Sequence, residues 1–279
     1  MDGINIVTAA DDRYAGHLAV MLYSLLENKR SSLQVTIYII ESHISHENKV
    51  LLNNIIKKFN SKILYLTLDS TIYENFKTLG HISKETYFRI SIPELLDRSV
   101  EKAIYLDSDL IVKEDISALW NHHVDHVFLG AVKDAYLRKS RNSALSIPQD
   151  SDYFNTGVLI LNLKKWRAFN ITNKIIDFIK NNAEKIVYPS QDPINAILHN
   201  AWLPLDEKWN YQPYLHKTRP LDQPAIIHFC GFAKPWNSNH PLRRYYIEYA
   251  KKVFPYSDFR ILPTKRTRKN RRQRRKRSL

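Results

Sequence analysis

Residues 4–25 read INIVTAADDRYAGHLAVMLYSL, and residues 35–40 read VTIYII. The first seven residues are a β-branched apolar run that Asp11 and Asp12 close. From Tyr14 onwards apolar residues recur with helical spacing, which indicates a strand, a loop and a helix ahead of the second apolar strand. Buried strands that alternate with helices are typical of a parallel sheet with helices on both faces. This segment therefore predicts the α/β class.

The same alternation continues along the chain. Further strands are predicted at residues 62–67, 103–106, 128–132 and 158–163, and further helices at residues 48–59 and 86–96. These elements predict one open, mostly parallel sheet covered on both faces. Ligands of such sheets bind beyond the carboxyl ends of the strands, so we expect the functional residues there.

The composition excludes several classes of protein. A chain of 279 residues with 44% hydrophobic residues is long and apolar enough for a packed core, which excludes a disordered or fibrous chain. Cys230 is the single cysteine, so an internal disulfide and a multi-cysteine metal site are excluded. The sequence shows neither an apolar run of about 18 residues nor the pattern of a signal peptide. We expect a cytoplasmic protein.

Glycine spacing excludes two kinds of nucleotide site. The closest two glycines, Gly3 and Gly16, are thirteen positions apart. A P-loop and a dinucleotide fingerprint both need clustered glycines, because backbone amides close on the phosphates there. A bound nucleotide would need another group to hold its phosphates.

Positive charge is concentrated at the C-terminus. The net charge is +14, and residues 264–279 hold ten Lys or Arg and no acidic residue, so the rest of the chain carries +4. We place a boundary between a globular domain, residues 1–255, and a basic tail, residues 256–279, which we expect to be disordered. Such a tail can bind an anionic membrane surface, here the inner face, or nucleic acid.

A polar triplet interrupts apolar sequence at residues 107–109. Asp107, Ser108 and Asp109 directly follow AIYL and directly precede LIV. Two carboxylates two residues apart can point to one side of a strand end and offer oxygen ligands for Mg²⁺ or Mn²⁺. A divalent ion there would neutralise a diphosphate in place of the missing glycine loop. The alternative is a turn with two solvated aspartates.

A second candidate cluster lies at residues 228–236, HFCGFAKPW. His228 follows an apolar run and can ligate a metal through an imidazole nitrogen, which favours Mn²⁺ over Mg²⁺. Lys234, beyond Gly231, can contact a phosphate as a point charge. The alternative for His228 is a core histidine with a satisfied hydrogen bond.

Two other groups of residues have simpler explanations. Residues 190–195 read SQDPIN, in which Asp192 is predicted as a helix N-cap and Pro193 as the first helical residue. Residues 122–126 contain three histidines and an aspartate, His122, His123, Asp125 and His126. Four ligands within five positions rarely converge on one ion, so we interpret this segment as a solvated connection.

The order of these motifs resembles that of the bacterial family 8 glycosyltransferases. These retaining enzymes include the lipopolysaccharide α-galactosyltransferases and are distantly related to glycogenin. The resemblance covers about Ile4 to Trp236. The motifs that carry it are ADD at 10–12, RIS at 89–91, DSD at 107–109, FNTGVLILNL at 154–163, QD at 191–192, HFCG at 228–231 and KPW at 234–236.

The resemblance implies a function and a set of site residues. It implies a Rossmann-like nucleotide-diphospho-sugar transferase fold of the GT-A type, with Mn²⁺ as cofactor and Mg²⁺ as the alternative. It also implies transfer of glucose or galactose from a UDP-sugar to a hydroxyl acceptor with retention at the anomeric carbon. The implied metal ligands are Asp107, Asp109 and His228. The implied donor-binding residues are Ala9, Asp11, Arg13, Tyr14, Arg89, Asp107, Ser108, Asp134, Asn155, Gly231 and Lys234, and Gln191 and Asp192 are the implied catalytic residues.

Two mechanisms remain open for a retaining transfer. A double displacement needs a carboxylate on the far face of the sugar, and Asp192 is the candidate for it. Gln191 occupies the matched position instead, which favours attack on the same face, with the leaving diphosphate assisting deprotonation of the acceptor. The alternative function is a basic-tailed nucleic-acid-binding protein, although we expect no nucleic acid because no recognised nucleic-acid module occurs in residues 1–255.

Overall fold

A seven-stranded sheet forms the centre of the computed structural model, which describes residues 3–77, 84–134, 136 and 140–255. Two further strands, β5 and β9, pair with each other. The strands are β1 (Ile4–Ala10), β2 (Val35–Glu41), β3 (Lys62–Thr67), β4 (Lys102–Leu106), β5 (Leu110–Val112), β6 (Leu129–Lys133), β7 (Phe154–Asn162), β8 (Trp202–Pro204) and β9 (Ile226–His228).

The sheet has the order β3-β2-β1-β4-β7-β6-β8. β7 runs antiparallel to both of its neighbours, β4 and β6, and the other neighbouring pairs are parallel. The mostly parallel α/β prediction is therefore confirmed. The chain order reverses between β1 and β4, so a crevice opens at the carboxyl ends of these strands.

Helices cover both faces of the sheet. The core on one face packs around α1 and α10, and the core on the other face includes side chains of α7 and α8. The helices are α1 (Asp12–Asn28), α2 (His46–Lys58), α3 (Ile92–Leu95), α4 (Ile116–Trp120), α5 (Ser140–Ala144), α6 (Leu163–Ala168), α7 (Ile171–Asn181), α8 (Gln191–Leu198), α9 (Pro213–Thr218) and α10 (Arg243–Val253). None of the helices described here is long and apolar enough to cross a membrane.

A β-bulge shapes the middle of β7. Ala131 of β6 pairs with Leu159, whereas the next residue, Val132, pairs with Asn155, so residues 156–158 have no partner in β6. Bulges free backbone groups from the sheet and are frequent beside active sites. The groups freed here serve the site described below.

Three local predictions need correction. Residues 86–96 were predicted as one helix, but they form part of a 3₁₀ helix (Lys84–Ser91) followed by the short α3. β7 begins at residue 154 rather than 158, because the polar residues Asn155 and Thr156 are buried within the strand. Helix α8 begins at Gln191, and its N-cap is Ser190 rather than Asp192. The basic tail, residues 256–279, lies outside the described residues.

Candidate active site

One cavity of about 730 Å³ lies beyond the carboxyl ends of β1 and β4. Its wall contains residues from the DSD triplet, from the segment after β9 and from the start of α8. The predicted site residues that line it are Ala9, Asp11, Tyr14, Arg89, Asp107, Ser108, Asp109, Asp134, Asn155, Gln191, His228, Gly231 and Lys234. Arg13 and Asp192 do not line it.

Three candidate metal ligands converge in this cavity. One ligand atom each from Asp107, Asp109 and His228 lies within 4.8 Å of the other two. Nε2 of His228 is 3.4 Å from Oδ1 of Asp109 and 3.8 Å from Oδ2 of Asp107. This arrangement depends on β5 and β9, which pair Leu110 with His228 and so bring the DSD triplet beside the histidine.

Each of the three side chains directs one ligand atom at the other two residues and uses its second polar atom to bind a neighbouring residue. Oδ1 of Asp107 accepts hydrogen bonds from Arg89 Nη2 and the Tyr105 hydroxyl, both at 2.8 Å. Oδ2 of Asp109 pairs with the ammonium of Lys234. Nδ1 of His228 lies 2.8 Å from Oδ1 of Asn210. The three remaining ligand atoms face one another: Asp107 Oδ2, Asp109 Oδ1 and His228 Nε2. This arrangement fits a site for a divalent cation.

The buried charges are compensated in pairs. Burial alone would raise the pKa of Asp109, but the ammonium of Lys234 lowers it below its ordinary value. Burial likewise disfavours the charged form of Lys234, yet Asp109 raises the pKa of the ammonium. Burial also disfavours a charged Arg89, and Asp107 offsets this, so the pKa of the guanidinium is raised. Both cations therefore remain charged inside the cavity wall.

Gly157 has no side chain, which makes room for two of the candidate metal ligands, His228 and Asp107. A Cβ atom built on this residue would lie 2.3 Å from Cε1 of His228 and 2.8 Å from Oδ2 of Asp107. Neither group can retreat without leaving the cluster, because Asp107 is held by Arg89 and His228 by Asn210. Only glycine fits this position beside the intact cluster.

A second polar group in the same cavity consists of Gln191, Asp134 and Asn155. Nε2 of Gln191 donates to Oδ2 of Asp134 at 3.1 Å, and the same oxygen accepts a hydrogen bond from Asn155 at 3.0 Å. Oε1 of Gln191 accepts a hydrogen bond from the backbone N–H of Thr156, in the bulge of β7. The bulge therefore orients the glutamine amide.

Asp192 has a different place from the one predicted. Its side chain is fully buried and pairs with the guanidinium of Arg141. Its carboxylate also accepts hydrogen bonds from the Tyr153 hydroxyl at 2.7 Å and from the backbone N–H groups of Val187 and Tyr188. These bonds anchor the segment ahead of Gln191, so Asp192 lies behind the cavity wall and does not line the cavity.

Arg13 also departs from its predicted place. Its side chain is 73% exposed and forms an ion pair with Asp11, which does line the cavity. Arg13 therefore contacts a cavity residue but is not itself part of the wall.

The histidine-rich segment does not assemble a metal site. His123 and Asp125 are about nine-tenths exposed, and their nearest charged atoms are 4.0 Å apart. Nδ1 of His122 lies 3.1 Å from the carbonyl of Leu119. Across the part of the chain that the structure describes, Asp107, Asp109 and His228 are the group of three or more such side chains that could hold a metal. Residues 122–126 lie in the segment that connects α4 to β6.

Sequence reasoning missed three residues that shape the site. Tyr105 precedes Asp107 by two residues and reads as part of a buried strand. Asn210 lies in a 3₁₀ helix (Glu207–Asn210) between predicted elements. Gly157 lies within the FNTG motif, and its interruption of an apolar strand was the one available signal.

Comparisons with known proteins agree with this geometry. The sequence pattern described as "Glycosyl transferase family 8" matches residues 5–240. The chain belongs to this family. It is therefore an enzyme, a glycosyltransferase, and the match gives no support to a nucleic-acid-binding protein.

The chain is similar to known proteins over most of its length. It is 39% identical to general stress protein A of Bacillus subtilis over 267 residues, which span 88% of this chain and 92% of the relative. It is 25% identical to a lipopolysaccharide 1,2-glucosyltransferase of Escherichia coli, over 94% and 81% of the two chains. The crystal structure of the galactosyltransferase LgtC with donor and acceptor sugar analogues superposes with a TM-score of 0.81 at 25% identity, over 89% and 96% of the two chains. The GT-A type fold is confirmed.

Gly157→Ala is predicted to destroy the metal site without unfolding the protein. The added methyl group must displace His228 or Asp107, so Mn²⁺ affinity in the presence of UDP should fall by about tenfold or more. Titration calorimetry measures this directly. Gly16→Ala is the matched control, because a Cβ there meets only Phe254, at 3.6 Å, and should leave Mn²⁺ affinity unchanged. Equal Mn²⁺ affinities for both variants and the parent would contradict the packing argument.

Proposed function

We propose that this glycosyltransferase is a retaining hexosyltransferase that moves glucose or galactose from a UDP-sugar to a hydroxyl of a glycan, lipid-linked or glycoprotein acceptor. The observation that carries the proposal is the convergence of one ligand atom each from Asp107, Asp109 and His228 in a cavity that two buried cations also line. A diphosphate leaving group needs such a combination of a metal site and positive charge.

The donor set favours Mn²⁺ as the cofactor. Two carboxylate oxygens and one imidazole nitrogen form a borderline set, which suits Mn²⁺ better than the harder Mg²⁺. When bound, the cation would neutralise negative charge on the diphosphate of the departing UDP. Lys234 lies beside Asp109 and adds a second positive charge. Gly231, with φ of 85°, lets the backbone turn between His228 and Lys234.

The positions of Gln191 and Asp192 favour attack by the acceptor on the face of the sugar that the diphosphate leaves. The burial of Asp192 takes away the carboxylate that a double displacement would use at that position. We propose that the bond from the anomeric carbon to the diphosphate oxygen breaks while the acceptor oxygen bonds to that carbon from the same side. The acceptor proton then passes to the departing diphosphate. Gln191, held by Asp134 and Thr156, stabilises the positive charge that develops on the sugar.

Exposed aromatic residues support a glycan as acceptor. Tyr136, Tyr214 and Phe232 line the cavity and are 67%, 42% and 72% exposed. The rings of Tyr136 and Tyr214 meet edge to face at 6.0 Å. Exposed aromatic surface of this kind marks a ligand-binding face, and ring faces suit the apolar faces of sugars.

The proposed function is tested by hydrolysis of a panel of UDP-sugars with Mn²⁺ and without acceptor. UDP-glucose or UDP-galactose should be cleaved fastest, and chelation of the metal should stop the reaction. Asp107→Asn and Asp109→Asn should each lower turnover by about a hundredfold or more, because they weaken the ligand set. Asp125→Asn, a change to a 94% exposed carboxylate, is the control. Full activity of either active-site variant with Mn²⁺ would refute the metal assignment.

Gln191→Ala should lower turnover far more than UDP affinity, because the proposed contact acts on the sugar during cleavage. We expect a turnover reduced roughly ten- to a hundredfold, with retained configuration of the product. Gln34→Ala is the control, since Gln34 bonds to Asn60 at the far side of the sheet. Capture of a sugar bonded to Asp192 would establish a double displacement instead.

We propose that residues 264–279 hold the enzyme at the cytoplasmic face of an anionic membrane, near a membrane-associated or envelope acceptor. Ten cations at roughly 1 kcal/mol each near such a surface support this role. Deletion of these residues should abolish salt-sensitive sedimentation with anionic vesicles and leave UDP-sugar hydrolysis unchanged. If the full-length chain ignored the vesicles at about 0.1 M salt, the membrane role would be wrong.

A further inference from the structure

Side-chain hydrogen bonds join the metal site to the sugar side of the cavity. His228 bonds to Asn210, Asn210 to Asn155, and Asn155 to Asp134, which also binds Gln191. The four distances are 2.8, 2.8, 3.0 and 3.1 Å. We call these five side chains the amide network. Asn210 is its one member that does not line the cavity, and it is fully buried.

The directions of the bonds that Asn155 and Asn210 make in the amide network follow from one backbone group. The N–H of Gly157 points to the side-chain amide of Asn155 at 2.9 Å. A backbone N–H only donates, so the atom of Asn155 that receives it is the oxygen, Oδ1. The same oxygen faces Asn210 at 2.8 Å, so Asn210 presents its NH₂ group there. The remaining atom of the Asn210 amide, its oxygen, then faces Nδ1 of His228.

The orientation of Asn210 determines where His228 carries its proton. An amide oxygen accepts and does not donate, so a hydrogen bond at this position requires a proton on Nδ1. A neutral imidazole with its proton on Nδ1 has a bare lone pair on Nε2, and this is the atom that faces Asp107 and Asp109. We propose that Asn210 is a positioning residue that fixes this tautomer and thereby prepares His228 to bind a divalent cation.

Backbone N–H groups also determine the hydrogen-bond directions at the Gln191 end of the amide network. The NH₂ group of Asn155 is directed to Asp134, since its oxygen is occupied by Gly157 and Asn210. The backbone N–H of Thr156 binds Oε1 of Gln191, so the glutamine also presents its NH₂ group to Asp134. Two adjacent N–H groups of the β7 bulge thus orient both halves of the cavity. Asn210 links the metal half to this bulge.

The inference rests on the proposed metal site, but its test needs neither metal nor turnover. Two-bond ¹H–¹⁵N spectra of histidine distinguish the two neutral tautomers. The full-length, metal-free protein is labelled on histidine, and its spectra are recorded at about pH 8. The His228 signal is assigned by its loss in His228→Gln. The parent should carry a proton on Nδ1, and an imidazole with its single proton on Nε2 would overturn the proposal whatever any variant does.

Two variants of Asn210 separate its two hydrogen bonds. Asn210→Ala removes both, so the Nε2 tautomer should appear, and Mn²⁺ affinity with UDP should fall about ten- to a hundredfold. Asn210→Asp keeps an acceptor for His228 but sets an oxygen against Oδ1 of Asn155. It should therefore keep the Nδ1 tautomer and lose less Mn²⁺ affinity than the alanine variant. Its rate of UDP-sugar hydrolysis should fall by a larger factor than its Mn²⁺ affinity.

The control for loss of a buried amide is Asn162→Ala. Asn162 is 8% exposed and holds the loop that includes Val124 through its own hydrogen bonds, away from the cavity. This variant should lose stability and keep both the tautomer and the Mn²⁺ affinity of the parent. An Asn210→Ala protein with the parent's tautomer would overturn the proposal. A parent with the Nδ1 tautomer that transfers no hexose would instead refute the proposed function and leave the amide network standing.

Discussion

The pairing of two three-residue strands holds the active site together. β5 and β9 run antiparallel with Leu110 opposite His228, and the carbonyl of Asp109 accepts a hydrogen bond from the backbone N–H of Phe229 at 3.0 Å. Both strands are fully buried, so a change of register would move apolar side chains out of the core as well as separate the ligands. The geometry of the metal site is thus fixed by hydrophobic burial.

The two carboxylates of the candidate metal site are each neutralised by a neighbouring cation. Two carboxylates a few Å apart would repel each other, and an unpaired buried carboxylate is expensive. Arg89 binds one oxygen of Asp107 and Lys234 binds one oxygen of Asp109, and each carboxylate directs its other oxygen at the cluster with His228. Only the carboxylate oxygens that bind Arg89 and Lys234 are therefore unavailable to a cation. The other oxygen of each carboxylate can act as a ligand. The same two cations remain in the wall of the cavity that would receive a diphosphate.

The sequence allowed much of the fold to be predicted, because the signals for buried strands are local. The runs at 4–10, 35–40 and 62–67 became strands close to their predicted bounds. The direction of β7 could not be predicted, since a strand buried on both faces reads alike in parallel and antiparallel pairs. The helix at 86–96 was wrong because periodicity does not separate 3₁₀ from α-helical turns.

The predicted site residues came together where a motif lies at a strand end, as Asp107 and His228 do. The resemblance to family 8 predicted their roles, and the apolar pattern of the strands predicted the edge of the sheet on which they lie. What sequence could not show depends on contacts between distant segments. Asp192 follows a helix-start pattern, yet Arg141 and Tyr153 bury it. Asn210 carries no local signal at all, because its importance comes from its two partners across the cavity wall.

The most direct measurement is the anomalous scattering of Mn²⁺ in crystals of the protein grown with UDP. The account predicts a single strong peak in contact with Oδ2 of Asp107, Oδ1 of Asp109 and Nε2 of His228. Manganese bound at residues 122–126 instead, or a peak that Asp109 and His228 do not touch, would contradict it.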